Sequence, residues 1–249
     1  MRLNARATVR IAGLALLFAV VAPVHVATKL LLGHSQWPHR FLAGAGWVIG
    51  LRVKVLGRRV SRHSLLISNH TSWLDIVILG GSLNSAFVSK DDLGHGFLHW
   101  LADQNGTIYV KRSHVKGAKD QAIALARALE RDKPVTVFPE GTTGPGTHLL
   151  PFRSTLLEAA NYAAKDVSVR PIAVEYGDAI GDIAWFEETG MENVLRVLGR
   201  KGTLPISVHA LAPLERTGDR KRLCAKARDA IGDTLGFKLH AHSPIAASG

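Results

Sequence analysis

The chain has 249 residues and a net charge of +11, with 47% hydrophobic and 20% charged residues. That composition excludes a disordered chain, and the length is enough to bury a core. The single cysteine, Cys224, excludes an intramolecular disulfide and a thiolate zinc cluster; it lies in a basic stretch where an inert, buried thiol is expected, in keeping with a reducing compartment.

No acidic residue precedes Asp75, whereas Arg2, Arg6, Arg10, Lys29, Arg40, Arg52, Lys54, Arg58, Arg59 and Arg62 all do. The rest of the chain, with 21 bases and 20 acids, is nearly neutral. The bases of the first third flank apolar residues, which favours an anionic membrane surface as partner over nucleic acid. From Ile11 to Ala27 the one strongly polar side chain is His25. As a helix this run is about 25 Å long, marginal for a hydrocarbon core of about 30 Å, with Pro23 as an expected kink. A second helical segment follows with Trp37, Phe41, Gly44, Val48 and Leu51 on one spacing. Tryptophans beside bases suit the headgroup region. Residues 1–50 are therefore expected to form a membrane-anchoring helical pair that enters and leaves one leaflet, with the inner membrane as location and the remaining chain on the cytoplasmic side. A cleaved signal peptide and a buried core helix are the competing readings.

Beyond Leu51 the pattern changes to short strands alternating with helices. "LRVKVLG" (51–57) alternates apolar and basic residues and reads as a half-buried strand. "SLLIS", "AFVS", "TIYV", "VTVF", "VSVRPIAV" and "ISVHAL" are further strand candidates. Helices are expected over 72–79, 95–101, 115–131, 153–164 and 218–235. Seven strands interleaved with helices make one α/β domain over residues 51–238, and 239–249 read as a flexible tail.

Three stretches carry candidate chemistry. In "SNHTSWLD", His70 and Asp75 follow a strand. Five residues apart on a regular helix, two side chains point about 140° from each other, so the pair meets only if His70 lies before the helix. Ser72 and Asp75 also fit a helix capping box, and the stretch read alone is either a catalytic pair or a capped turn. A carboxylate on one imidazole nitrogen would leave the other to act as a general base. In "VTVFPEGTTGPG" a strand runs into Glu140, Gly141, Thr142 and a glycine-rich turn suited to an anion, without the lysine of a phosphate-binding Walker loop. In "NGTIYVKRS" a strand delivers Lys111 and Arg112 to its carboxyl end, where parallel sheets gather ligands. No Gly-x-Ser-x-Gly elbow occurs, and His95 and His99 lack an acidic third partner, so neither a serine hydrolase nor a metal site is expected.

Taken together, "NHTSWLD", "GTIYVKR", "FPEGT" and "VRPIAV" resemble, in order, the four blocks of the 1-acylglycerol-3-phosphate acyltransferase family of glycerolipid acyltransferases. The resemblance covers roughly residues 51–211. It implies a mixed sheet flanked by helices and a membrane-docking N-terminal pair. It also implies transfer of a fatty acyl group from acyl-coenzyme A or acyl carrier protein, as co-substrate and with no cofactor, to the 2-hydroxyl of lysophosphatidate. In that scheme His70 is the base and Asp75 orients it. Arg112, Gly141 and Thr142 hold the phosphate, with Lys111 or Arg153 in support, and Glu140 engages the glycerol or a neighbouring base. Thr143 stands where arginine frequently follows the third block, and Arg153-Ser154-Thr155 where a lysine and a glycine are frequent. These departures leave another lysolipid, such as lyso-ornithine lipid, as an alternative acceptor. A non-catalytic membrane lipid-binding protein is the remaining reading, although it would have no use for a general base.

Overall fold

The computed structural model describes residues 4–90, 96–110, 118–164 and 166–237. Helix α1, Ala5–Leu32, begins at Asn4, whose side chain accepts the Ala7 N–H, and runs through Pro23 to Gly33. It is long and apolar enough to cross a membrane and is mostly exposed, with Leu30, Leu31 and Leu32 bare at its far end. Helix α2, Trp37–Ile49, returns to the domain and feeds strand β1, Leu51–Gly57. Thirteen residues span about 20 Å, too short to cross a bilayer. Ala7 and Ile49, at the domain ends of the two helices, are both buried in the core.

The remaining strands are β2 (Ser64–Ser68), β3 (Ala86–Lys90), β4 (Ile108–Val110), β5 (Val135–Val137), β6 (Ser168–Glu175) and β7 (Leu204–Ala210). They form one seven-stranded sheet in the order β1-β7-β6-β2-β5-β3-β4. Only β6 and β7 pair antiparallel, so the mixed sheet implied by the motifs is present. Strand β2 lies at the centre and is buried throughout, which is why it reads as an unbroken apolar run. Its side chains alternate: Leu66 joins one core with Ile78, Ile172 and Val208, while Leu65 and Ile67 join another with Leu125, Leu129 and Ala227. The first core is covered by α1, α2, α3 (Leu74–Leu83) and α8 (Gly190–Gly199). The second is covered by α5 (Ala118–Ala128) and α9 (Arg220–Thr234).

Several expectations shift. Strand β1 is not half-buried: after Leu51 it is exposed on both faces, because it is the sheet edge. Its exposed Val53 and Val55 follow Trp47, and Arg52 and Lys54 protect the edge from pairing. The helix expected over 153–164 is broken into a 3-10 turn, Thr155–Glu158, and a short α6, Ala159–Tyr162. Helix α4 is Phe97–Gln104, displaced from 95–101. The stretch between β6 and β7, given no element from the sequence, holds α7 (Ile180–Ile183) and α8. Helix α8 starts with a full capping box between Thr189 and Glu192.

Two contacts fix the N-terminal helices to the helices that cover the sheet. A Cβ at Gly81 would fall 2.7–2.9 Å from the backbone of Leu42 and Ala43, so α2 crosses α3 at a spacing only glycine permits. Arg10 donates to the carbonyls of Leu198 (2.8 Å), Arg200 (3.0 Å), Gly202 (3.0 Å) and Val197 (3.4 Å), tying α1 to the carboxyl end of α8.

Candidate active site

Strands β2 to β6 run parallel, so the segments leaving β2, β5 and β6 emerge at the same edge. After β2, the Asn69 side chain continues the ladder that the backbone abandons. It accepts the Val174 N–H (2.8 Å) and donates to the Val174 carbonyl (3.0 Å). This clamp holds the chain against β6 while it turns. Helix α3 begins only at Leu74, which leaves His70 on the loop and Asp75 in the first turn. His70 Nδ1 lies 2.9 Å from Asp75 Oδ2. The same oxygen accepts the N–H groups of Thr71 (2.7 Å) and Ser72 (2.9 Å), and Oδ1 accepts the Tyr176 hydroxyl at 2.6 Å. The capping box expected here is half formed: Asp75 takes the Ser72 N–H, but the Ser72 hydroxyl accepts from Leu74 (3.4 Å). One carboxylate thus closes the turn and holds the imidazole.

A carboxylate only accepts, so His70 Nδ1 carries the proton and Nε2 presents its lone pair. Asp75 is fully buried, whereas the His70 side chain is 18% exposed. The imidazole stacks on Phe138 at 4.0 Å between centroids and 16° between planes. Phe138 in turn stacks on Phe87 at 6.1 Å. The His70 backbone is pinned as well: its N–H donates to Glu140 Oε1 (2.8 Å) and its carbonyl accepts from Gly144 (2.8 Å). Thr71 O accepts from Trp185 (2.9 Å).

Glu140 does not reach outward to a ligand or a base as expected. It is buried, and its second oxygen accepts the Leu150 N–H at 2.9 Å, so the carboxylate joins the His70 loop to the glycine-rich turn. Burial pushes this carboxyl up to about 7, against the pull of the two N–H groups. The turn it braces has little slack. Gly146 has φ 75°, and a Cβ there would lie 2.3 Å from Ile180 and 2.9 Å from Thr71.

His70 borders two spaces. One is an apolar cavity of about 650 Å³ lined by α1, α2, α3 and α8, among them Phe18, Val21, Leu42, Val77 and Val194. The buried His25 also lines it, bonded to Ser35 (2.8 Å) and Gln104 (3.0 Å); the one polar side chain of the apolar run thereby ties α1 to α4. The other is a polar cleft of about 480 Å³ formed by His70, Gly141, Thr142, Thr143 and Trp185 to Glu188. Gly141 and Thr142, expected to hold a phosphate, line this cleft. Arg153 lies beside it, with its guanidinium 3.6 Å from where a Gly141 Cβ would sit. Lys111 and Arg112 follow β4 but lie outside the described residues. Sequence reasoning missed Tyr176, Phe138 and the carboxylates of Glu187 and Glu188. Tyr176 stands two residues past "VRPIAV" and Phe138 opens "FPEGT" itself, at the carboxyl ends of β6 and β5, and that placement was the available signal. Among the described residues no cluster of three His, Cys, Asp or Glu side chains is placed to hold a metal.

The sequence profile of the Acyltransferase family matches residues 52–175. A lyso-ornithine lipid O-acyltransferase of Rhodobacter capsulatus is 30% identical over 93% of this chain and 90% of its own. The chain belongs to the acyltransferase family. A 1-acyl-sn-glycerol-3-phosphate acyltransferase of Neisseria gonorrhoeae is 29% identical over 74% of this chain and 73% of the relative. The crystal structure of the 1-acyl-sn-glycerophosphate acyltransferase of Thermotoga maritima superposes with a TM-score of 0.60 at 17% identity, covering 90% of this acyltransferase and 94% of that chain. The fold is therefore shared across 90% of this chain.

Proposed function

We propose that this acyltransferase moves a fatty acyl group from an acyl thioester to the free hydroxyl of a lyso-ornithine lipid. The observation that carries the reaction is the position of His70, its Nε2 without a hydrogen-bond partner among the described residues, where the apolar cavity meets the polar cleft. An acyl chain fits the cavity and a headgroup the cleft. His70 Nε2 takes the acceptor's hydroxyl proton as its oxygen attacks the thioester carbonyl. The tetrahedral adduct then expels the thiolate, which takes the proton back from His70. The hydroxyl of the acceptor is itself the nucleophile, so no acyl-enzyme forms.

The choice of acceptor rests on charge. Among the described residues the cleft is lined by two carboxylates and no lysine or arginine. Glu188 is paired with Arg196, whereas Glu187 is exposed and has no such partner among the described residues. A phosphate dianion would meet Glu187 unfavourably, while an ornithine headgroup offers it a cationic amine. Thr143 in place of the frequent arginine, and the name carried by the Rhodobacter relative, agree with this. Lysophosphatidate is the second reading, favoured by Arg153 beside Gly141. The α1–α2 pair is read as a hairpin dipping into one leaflet of the inner membrane from the cytoplasmic side. Both of its domain ends are buried together, and its exposed leucines lie at the tip.

The deciding experiment is an acceptor panel of lyso-ornithine lipid, lysophosphatidate and neutral lysolipids, with acyl-coenzyme A and acyl carrier protein thioesters as donors. The highest kcat/KM is expected with lyso-ornithine lipid. A preference for lysophosphatidate would transfer the assignment to the second reading. Release of free fatty acid without acyl transfer would end both.

A further inference from the structure

We infer that Tyr176 is a positioning residue for the general base, setting through Asp75 the pH at which His70 becomes active. This rests on the reading of His70 as the base. The hydroxyl of Tyr176 donates to Asp75 Oδ1 at 2.6 Å, on the opposite oxygen from His70. The two residues are 101 positions apart and meet because β6 and β2 are parallel neighbours that end at the same edge. Tyr176 lines neither the apolar cavity nor the polar cleft, so it touches no substrate held there.

A hydroxyl whose task was only to satisfy a buried oxygen would be expected to fill a vacancy in the carboxylate's hydrogen-bonding. It does that, and it also withdraws charge from the anion that faces the imidazole. Burial, reinforced by the Asp75 charge, holds the phenol well above its ordinary range, so it stays protonated and remains a donor across the working pH. The other titrating groups here are Glu140, which braces the His70 backbone, and Glu175, which precedes Tyr176 and pairs with His209 at 2.8 Å. Neither contacts the phenol. Removing the hydroxyl concentrates negative charge on Asp75, which favours the protonated, inactive imidazole. The acid limb of the rate profile must then move to higher pH.

The test measures kcat/KM against pH for the full-length enzyme in detergent–lipid micelles, as wild type, Tyr176→Phe and 3-fluorotyrosine introduced at position 176. In Tyr176→Phe the acid limb is expected to rise by about half to one pH unit, with the lysolipid KM on the plateau within about twofold of wild type. The fluorinated phenol, a stronger donor, is expected to move the limb the other way. This second arm retains the ring and hydroxyl, so it reads out even if the phenylalanine variant folds poorly. Opposite displacements support the inference; a limb unmoved by either substitution overturns it, whatever happens to the amplitude. His70→Ala serves as the separate check: loss of all turnover leaves the base reading standing, and retention of more than a few per cent removes that reading and this inference with it.

Discussion

Asp75→Asn separates charge from shape at the centre of the site. The carboxylate meets donors on both oxygens: Nδ1–H of His70 and the N–H groups of Thr71 and Ser72 on one, and the Tyr176 hydroxyl on the other. An asparagine has one orientation that fits, with its oxygen toward the three N–H donors and its amino group toward the tyrosine, whose oxygen can turn to accept. The turn and the tautomer of His70 are therefore retained. What disappears is the charge opposite the imidazolium that forms as the base takes its proton. Two unit charges about 4 Å apart interact by roughly 4 kcal/mol at an effective dielectric of about 20. With each 1.36 kcal/mol a factor of ten, the rate falls about 10³-fold. Initial rates with a lysolipid and an acyl thioester, taken alongside thermal unfolding of the same preparation, measure both sides. The unfolding midpoint should move only a few degrees, since about 1 kcal/mol corresponds to roughly 2–4 °C in a chain of this size. An asparagine variant that keeps its fold and more than a tenth of wild-type kcat/KM would refute the electrostatic role. Asp75→Ala is a harsher change: it orphans every one of those donors, at about 1–3 kcal/mol each, and folded protein should not accumulate.

Glu140 makes a pH-dependent contribution of defined sign. Its folded carboxyl is raised from 4.5 to about 7, so between these values the folded state holds a proton that the unfolded state has released, and stability falls as pH rises through the window. At about 1.36 kcal/mol per unit this amounts to roughly 3 kcal/mol; Glu140→Gln should flatten that slope in thermal unfolding measured from pH 4.5 to 7, and an unchanged slope would exclude Glu140 as its source. Arg10→Leu removes the donor that binds four carbonyls near the end of α8. A loss of about 1.5–3 kcal/mol, seen as faster proteolysis within α1, is the expected result. Cys224 is buried, and burial pushes its thiol up to about 11, so it should resist alkylation in the native enzyme and react only on unfolding.

Elements whose signal is local were legible in the chain. Strands β2, β5 and β6 stand out because central strands are rich in buried branched apolar residues, and α1 because no acid interrupts it. Strand β1 misled, since Arg52 and Lys54 alternate with valines as they would in a half-buried strand; edge position is decided by pairing with β7, which the local pattern does not contain. Helix α8 went unassigned although Thr189 and Glu192 have capping-box spacing and Met191, Val194 and Leu198 recur on one side. Its flanking glycines, Gly190 and Gly199, disguised it.

The same distinction runs through the site itself. His70 and Asp75 were singled out by the motifs taken together, since their spacing is wrong for two side chains that meet on one helix. The geometry succeeds because the chain between them is bent, and the groups that bend it are remote: Val174 grips Asn69, Glu140 and Gly144 hold both sides of the His70 peptide, and Trp185 holds Thr71. Glu140 shows why a motif alone misassigns roles. Its place beside Gly141 suggested a ligand contact, but a buried carboxylate facing two backbone N–H groups serves the loop first. The pair is local in the chain, while the groups that bend the backbone between its members lie 70 to 114 residues away. Only the parallel order of β6, β2 and β5 brings them to the same edge. That order also explains why the contact made by Tyr176 could not be read from its own segment. Nothing within its own segment, a tyrosine between a glutamate and a glycine, signals that a carboxylate on another strand's loop depends on it.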